Sequence, residues 1–199
     1  MLIHLRRSLV FAIICMVFFG FIYAFAGTGV AQVLFPYKAN GSLTANGSTL
    51  IGQNWSSPKW FHGRPDDTGP YAASKANGIS GGDNPLVANG FSGESSATNL
   101  GPHSGTLIKN THALIKYWHA LGVNPTVDLV TTSGSGYDPD ISALDATVQI
   151  PMVAKATGIS PSQLRTLIKS QSHSAELGFL GSSYIDVLQL NEGLAKLEK

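Results

Sequence analysis

The sequence has little charge and almost no cysteine. Only 13% of its 199 residues are Asp, Glu, Lys or Arg, and the one cysteine is Cys15. A lone cysteine excludes an internal disulfide framework, so an exported domain of this chain depends on packing or on a partner for stability. Thirteen basic residues against twelve acidic ones leave a formal charge of +1. No basic surface of the kind that nucleic acids require follows from that balance. A phosphate-loop lysine motif and a D-K-T-G-T phosphorylation sequence are also missing, and no nucleophile–base pair stands out. An autonomous enzyme is not expected.

What the chain does have is a long apolar start. From Ser8 to Tyr37 no charged residue interrupts the sequence, and Arg6 and Arg7 precede that run. About 20 apolar residues at ~1.5 Å each cross the hydrocarbon core of a bilayer. The paired arginines on the short side predict residues 1–7 in the cytoplasm, a transmembrane helix over 8–35 and everything from 36 to 199 outside. Ala24-Phe25-Ala26 before Gly27 matches a signal-peptide cleavage site. The apolar run continues beyond it through Val30, Val33, Leu34 and Phe35, which favours a retained anchor in the plasma membrane. Gly20, Ala24, Gly27 and Ala31 form a stripe of small residues on this helix.

Beyond the anchor, eleven basic and twelve acidic residues make a nearly neutral domain of about 160 residues, enough for one core. Asn40-Gly41-Ser42 and Asn46-Gly47-Ser48 read as turns that are also glycosylation sequons, as is Asn54-Trp55-Ser56. Thr49-Leu50-Ile51 is a short strand candidate. Residues 64–102 form a long irregular stretch without a period, of the sort that is functional or bound to a partner. Leu107, Leu114, Trp118 and Leu121 then keep helical spacing, with Gly122 as the stop.

Val127–Val130 reads as a strand, and Asp138-Pro139 as the cap and first residue of a helix that Pro151 ends or kinks. Ser160-Pro161-Ser162-Gln163 is a capping box opening another helix. Tyr184–Leu188 is a strand candidate, and Leu190–Leu197 a closing helix. Strands alternating with helices predict a single small α/β domain.

Two features invite chemistry. His103, His112 and His119 lie in or beside one predicted helix, but no carboxylate or cysteine completes a metal set with them. The loop Thr131-Thr132-Ser133-Gly134-Ser135-Gly136 leaves a predicted strand for a helix N-terminus, where backbone N–H groups hold anions. It lacks the phosphate-loop spacing and a G-x-S-x-G elbow, and Asp138 and Asp140 compete for the same helix end. A tight glycine turn is the better reading. Gln149, carrying only a polar tip on a helix, is expected to matter little to the fold.

Several segments, in order, resemble one family. They are Gly47-Ser48-Thr49-Leu50-Ile51-Gly52-Gln53, Trp60-Phe61-His62-Gly63-Arg64-Pro65 and Ser96-Ala97-Thr98-Asn99-Leu100-Gly101-Pro102. The run from Asp128 to Ser142 around the glycine loop is the most specific, and Gln149-Ile150-Pro151-Met152 and Val187-Leu188-Gln189-Leu190-Asn191 complete the set. On these the chain resembles the C subunits of the Kdp potassium-transporting P-type ATPases. Tyr137, Asp140, Met152, Thr157 and Asp186 depart from the residues usual in that family, and the changes at Asp140, Met152 and Thr157 remove positive charge near the glycine loop.

The resemblance implies a non-catalytic subunit of a high-affinity potassium uptake pump, with no cofactor of its own. Its partners would be an ATP-hydrolysing subunit, a channel-like potassium-binding subunit and a small membrane subunit. The family is also described as a catalytic chaperone that raises the ATP affinity of the hydrolysing subunit. On that description ATP is the ligand, and Ser133, Gly134, Ser135, Gly136 and Gln149 are the matching nucleotide candidates. An extracytoplasmic domain meets little ATP, so a role in assembly and transport at the outer mouth of the channel-like subunit is preferred. A freestanding exported binding or hydrolase module is the alternative from another class.

Overall fold

The computed structural model describes residues 2–53, 55, 57–65 and 97–198. Most of the 64–102 stretch and the Asn54 sequon therefore lie outside the described residues. Two compact units divide the chain, Met1–Leu43 and Thr44–Lys199.

The first unit is one helical rod. Helix α1 spans Leu2–Val17, a single wider π turn covers Phe18–Ile22, and α2 runs over Tyr23–Leu34. Together they give 33 helical residues, long and apolar enough to cross a membrane. At ~1.5 Å per residue the rod is about 50 Å long, more than the ~30 Å hydrocarbon core. It stops where Phe35 takes an extended φ of −138° ahead of Pro36, since proline crowds a helical residue before it. Pro36 then opens the short helix α3, Pro36–Ala39.

The second unit, the body, mixes helix and sheet. Helix α4 is Gly105–Ala120; Ser104 caps it and Gly122, at φ +77°, ends it. Strand β1 (Asp140–Ile141) is followed by α5 (Ala143–Val148), α6 (Ile150–Thr157) and α7 (Pro161–Gln171). Strand β2 (Ile185–Asp186) leads directly into α8 (Val187–Leu197). β1 and β2 pair antiparallel, Asp140 opposite Asp186 and Ile141 opposite Ile185. The core gathers Phe61, Leu114, Trp118, Leu129, Ile141, Val153, Leu164, Ile185, Leu190 and Leu194, all nearly or fully inaccessible. The Ser160 capping box is formed as its residues predict, and Pro151 sits in the first turn of α6, just after α5 breaks at Gln149.

Three expected elements differ. Asp128–Val130 is a 3-10 turn, not part of a strand. The indole N–H of Trp118 donates to the Leu129 carbonyl at 3.0 Å, and Val130 N–H donates to the Val127 carbonyl at 3.2 Å. Those acceptors are thereby taken from any sheet ladder. Thr49–Ile51 is likewise a turn, with Ile51 N–H donating to the Ser48 carbonyl at 3.4 Å. Asp138 does not cap a helix. Its carboxylate accepts from Asp140 N–H at 3.1 Å, residues 140–141 join the sheet, and the helix starts at Ala143. There Ser142 and Asp145 form a reciprocal capping box.

The closing strand is shorter than expected too, because the Asp186 carboxylate accepts from Gln189 N–H at 2.7 Å and begins α8 early. Among the described residues the body thus holds helices around one minimal sheet rather than alternating strands and helices.

Candidate functional site

The quoted motifs converge on one short segment, Phe61-His62-Gly63-Arg64-Pro65. Asn191 of α8 holds Phe61 by both backbone groups: Phe61 N–H donates to its Oδ1, and its Nδ2 donates to the Phe61 carbonyl, each at 2.9 Å. Gln149, in the break between α5 and α6, repeats this on the next residue. His62 N–H donates to Gln149 Oε1 at 2.8 Å, and Gln149 Nε2 donates to the His62 carbonyl at 3.0 Å. Two side-chain amides thus complete the hydrogen bonds of a buried segment that pairs with no strand among the described residues.

The glycine loop holds the same segment two residues further on. Arg64 Nη2 donates to the Thr132 carbonyl at 3.0 Å and Nη1 lies 3.5 Å from the Asp138 carboxylate. Ser133 N–H donates to the Pro65 carbonyl at 3.3 Å. Inside the loop, Ser133 Oγ accepts from Gly136 N–H at 2.9 Å and Ser135 Oγ accepts from Tyr137 N–H at 3.1 Å. Gly136 has φ +71°, a conformation that β-branched residues resist. Gly52 closes the knot from another side. Its N–H donates to the Tyr137 carbonyl at 2.7 Å, and a Cβ there would meet the Asp138 carbonyl oxygen at 2.7 Å.

Two sequence expectations change here. The loop runs into β1 and not into a helix N-terminus, so no macrodipole points at it. Gln149 is no surface tip: it is 0% exposed, and both its amide hydrogens are taken, one by His62 and one by the Asp145 carbonyl at 3.2 Å. Ser133 and Gly136 are buried, while Gly134 and Ser135 are exposed. The loop and Gln149 both hold the Phe61–Pro65 segment.

Sequence reasoning missed Asn191 as a partner of Gln149. A usable signal existed, because Val187, Leu190, Asn191 and Leu194 share the inward face of α8, where an amide must find buried partners.

Electrostatics follow from burial. His62 lies in the core, its Nε2 3.1 Å from the Ser57 carbonyl and its ring 5.6 Å from Trp118. Burial lowers its pKa to about 4, only partly offset by the Ser57 hydrogen bond, so the ring is neutral at pH 7. Asp140 is pushed up to about 6, first by burial and then by the Asp186 and Asp138 carboxylates, with His173 opposing. Burial also raises Asp186, against the hydrogen bond from Gln189. His103, His112 and His119 lie on the surface. Among the described residues no three His, Cys, Asp or Glu side chains come together to hold a metal ion.

Among the described residues one helix is long and apolar enough to cross a membrane, and the motif residues of the body are spent on holding one another. These define the class, a protein with a helix of membrane-spanning length and a small clasped body. The family described as KdpC, K+-transporting ATPase, c chain, matches residues 5–196. A potassium-transporting ATPase KdpC subunit from Methylobacterium nodulans is 39% identical, covering 99% of this chain and 98% of its own. One from Caulobacter vibrioides is 41% identical over 98% and 93%, and one from Methylorubrum extorquens 40% identical over the full length of both. The chain belongs to the KdpC family.

Proposed function

We propose that this chain is a non-catalytic subunit of an ATP-driven potassium uptake complex, anchored by its N-terminal helix and acting in assembly and transport through an extracytoplasmic body. Its partners on this reading are the ATP-hydrolysing subunit, the channel-like subunit and the small membrane subunit of the pump. The carrying observation is the clasp on Phe61–Pro65: Gln149, Asn191, Arg64 and the loop from Thr132 to Gly136 all spend polar groups on the protein's own backbone. Residues so committed serve the shape of a surface rather than a reaction. Arg6 and Arg7 before the apolar rod support the outward orientation of the body.

The chaperone reading, in which the glycine loop and Gln149 meet ATP, requires Gln149 to release the His62 or Asp145 carbonyl before it can donate to a nucleotide. Recovery of a tagged chain from detergent tests the proposal. Co-purification of the other three subunits is the expected result. Recovery of the chain alone, with those subunits present and folded, would refute it.

A further inference from the structure

Between α7 and β2 the chain leaves the body as a finger. At its base His173 and Tyr184 exchange both backbone hydrogen bonds, at 2.9 and 3.1 Å, and their rings stack 4.9 Å apart. A second rung joins Glu176 and Leu180, again by two bonds, each of 2.9 Å. The tip beyond carries Leu177, Phe179 and Leu180, which are 80%, 74% and 51% exposed. Leu177 holds φ +53°, between ordinary backbone and Gly178 at +81°. A leucine in the left-handed region is uncommon and strained, and such strain concentrates where a surface is functional.

We infer that this finger is the docking element by which the body binds an uncharged apolar pocket on another protein subunit of its complex. The inference rests on the reading of the chain as one subunit of a pump. Three large apolar side chains on a doubly pinned hairpin match the aromatic and aliphatic anchors that dominate protein interfaces. Charge decides against lipid. From Ser172 to Tyr184 there is no Lys or Arg, and Glu176 is the single carboxylate, so nothing draws the finger to anionic headgroups. Size decides against a second copy, because a stable self-complementary face buries about 1,200–2,000 Å² and a three-residue tip supplies a small part of that. A narrow anchor in a partner's pocket instead adds a few well-buried side chains to an interface whose remaining area the rest of the complex supplies.

The test uses the full chain expressed with its partner subunits. The variant Leu177→Ser, Phe179→Ser, Leu180→Ser should lower recovery of those subunits by roughly tenfold, the effect of losing a hot spot. The body's melting temperature should stay unchanged, since these side chains are solvent-exposed. Unchanged recovery would overturn the inference. A photoreactive replacement, Phe179→benzoylphenylalanine, decides the matter even if the triple variant unfolds. A cross-link to another pump subunit supports the docking; cross-links only to lipid or only to a second copy overturn it. If the wild-type chain itself recovers no subunit, the subunit reading fails, and the finger's role with it.

Discussion

Replacing Gln149 by alanine should unfold much of what holds the body together. The side chain is wholly buried and serves three backbone groups: His62 N–H, the His62 carbonyl and the Asp145 carbonyl. The two His62 groups alone set the scale of the loss. A buried backbone group left without a partner costs about 1–3 kcal/mol. Two of them sum to about 2–6 kcal/mol before relaxation, and the small void left by the shortened stem adds to that. Whole domains of this size are stable by only about 5–15 kcal/mol.

Urea unfolding of the full chain in detergent reads this out through tryptophan fluorescence, because Trp55, Trp60 and Trp118 all belong to the body. Asn191→Ala should behave alike. The double variant should lose less than the sum, since both amides hold adjacent residues of one segment. A loss below about 1 kcal/mol for Gln149→Ala would refute the clasp, being no more than one ordinary hydrogen bond.

Gly136→Val should cost about 1–3 kcal/mol in the same assay, because valine resists the φ of +71° that glycine holds there; an unchanged midpoint would remove the turn from the account. The pH profile should show two opposed groups. His62, lowered to about 4 from 6.5, adds stability at neutral pH that is lost as pH falls through 4. Asp140, raised to about 6 from 3.8, adds stability at low pH that is lost as pH rises through 6. Asp140→Asn should therefore steepen the rise of stability from about pH 4 to 6.5, and equal slopes in variant and wild type would contradict the burial of that carboxylate. In the apolar N-terminal rod, Gly20→Leu with Ala24→Leu should weaken assembly without blocking insertion, as small residues admit a neighbouring helix. Unimpaired co-purification would count against a helix contact there.

The parts legible in the sequence were those with a local cause. The Ser160 capping box, the Gly122 stop and the apolar spacing of α4 depend on neighbours within a few residues, and each forms as its residues predict. The misread parts depend on distant partners. Val127–Val130 has the apolar content of a strand, yet the Trp118 indole, 11 positions away from Leu129, claims the carbonyl of that residue. Asp138-Pro139 imitates a helix cap because nothing nearby shows that Asp140 and Ile141 will meet Asp186 and Ile185.

Gln149 is the residue whose role the sequence conceals most. A glutamine reads as surface unless a backbone segment from 87 positions away arrives to use both ends of its amide. The glycine loop was legible as a turn through its own composition, but its hold on Arg64 and Pro65 was not.

The sharpest test of the central claim, that the clasp shapes the subunit and binds no nucleotide, is the ATP dependence of the assembled pump carrying Gln149→Ala. It is measured on complexes shown to be intact, with potassium dependence followed in parallel. The account predicts the same ATP concentration for half-maximal turnover as in the wild type. A clear rise in that concentration, with potassium dependence unchanged, would contradict it and place Gln149 at a nucleotide.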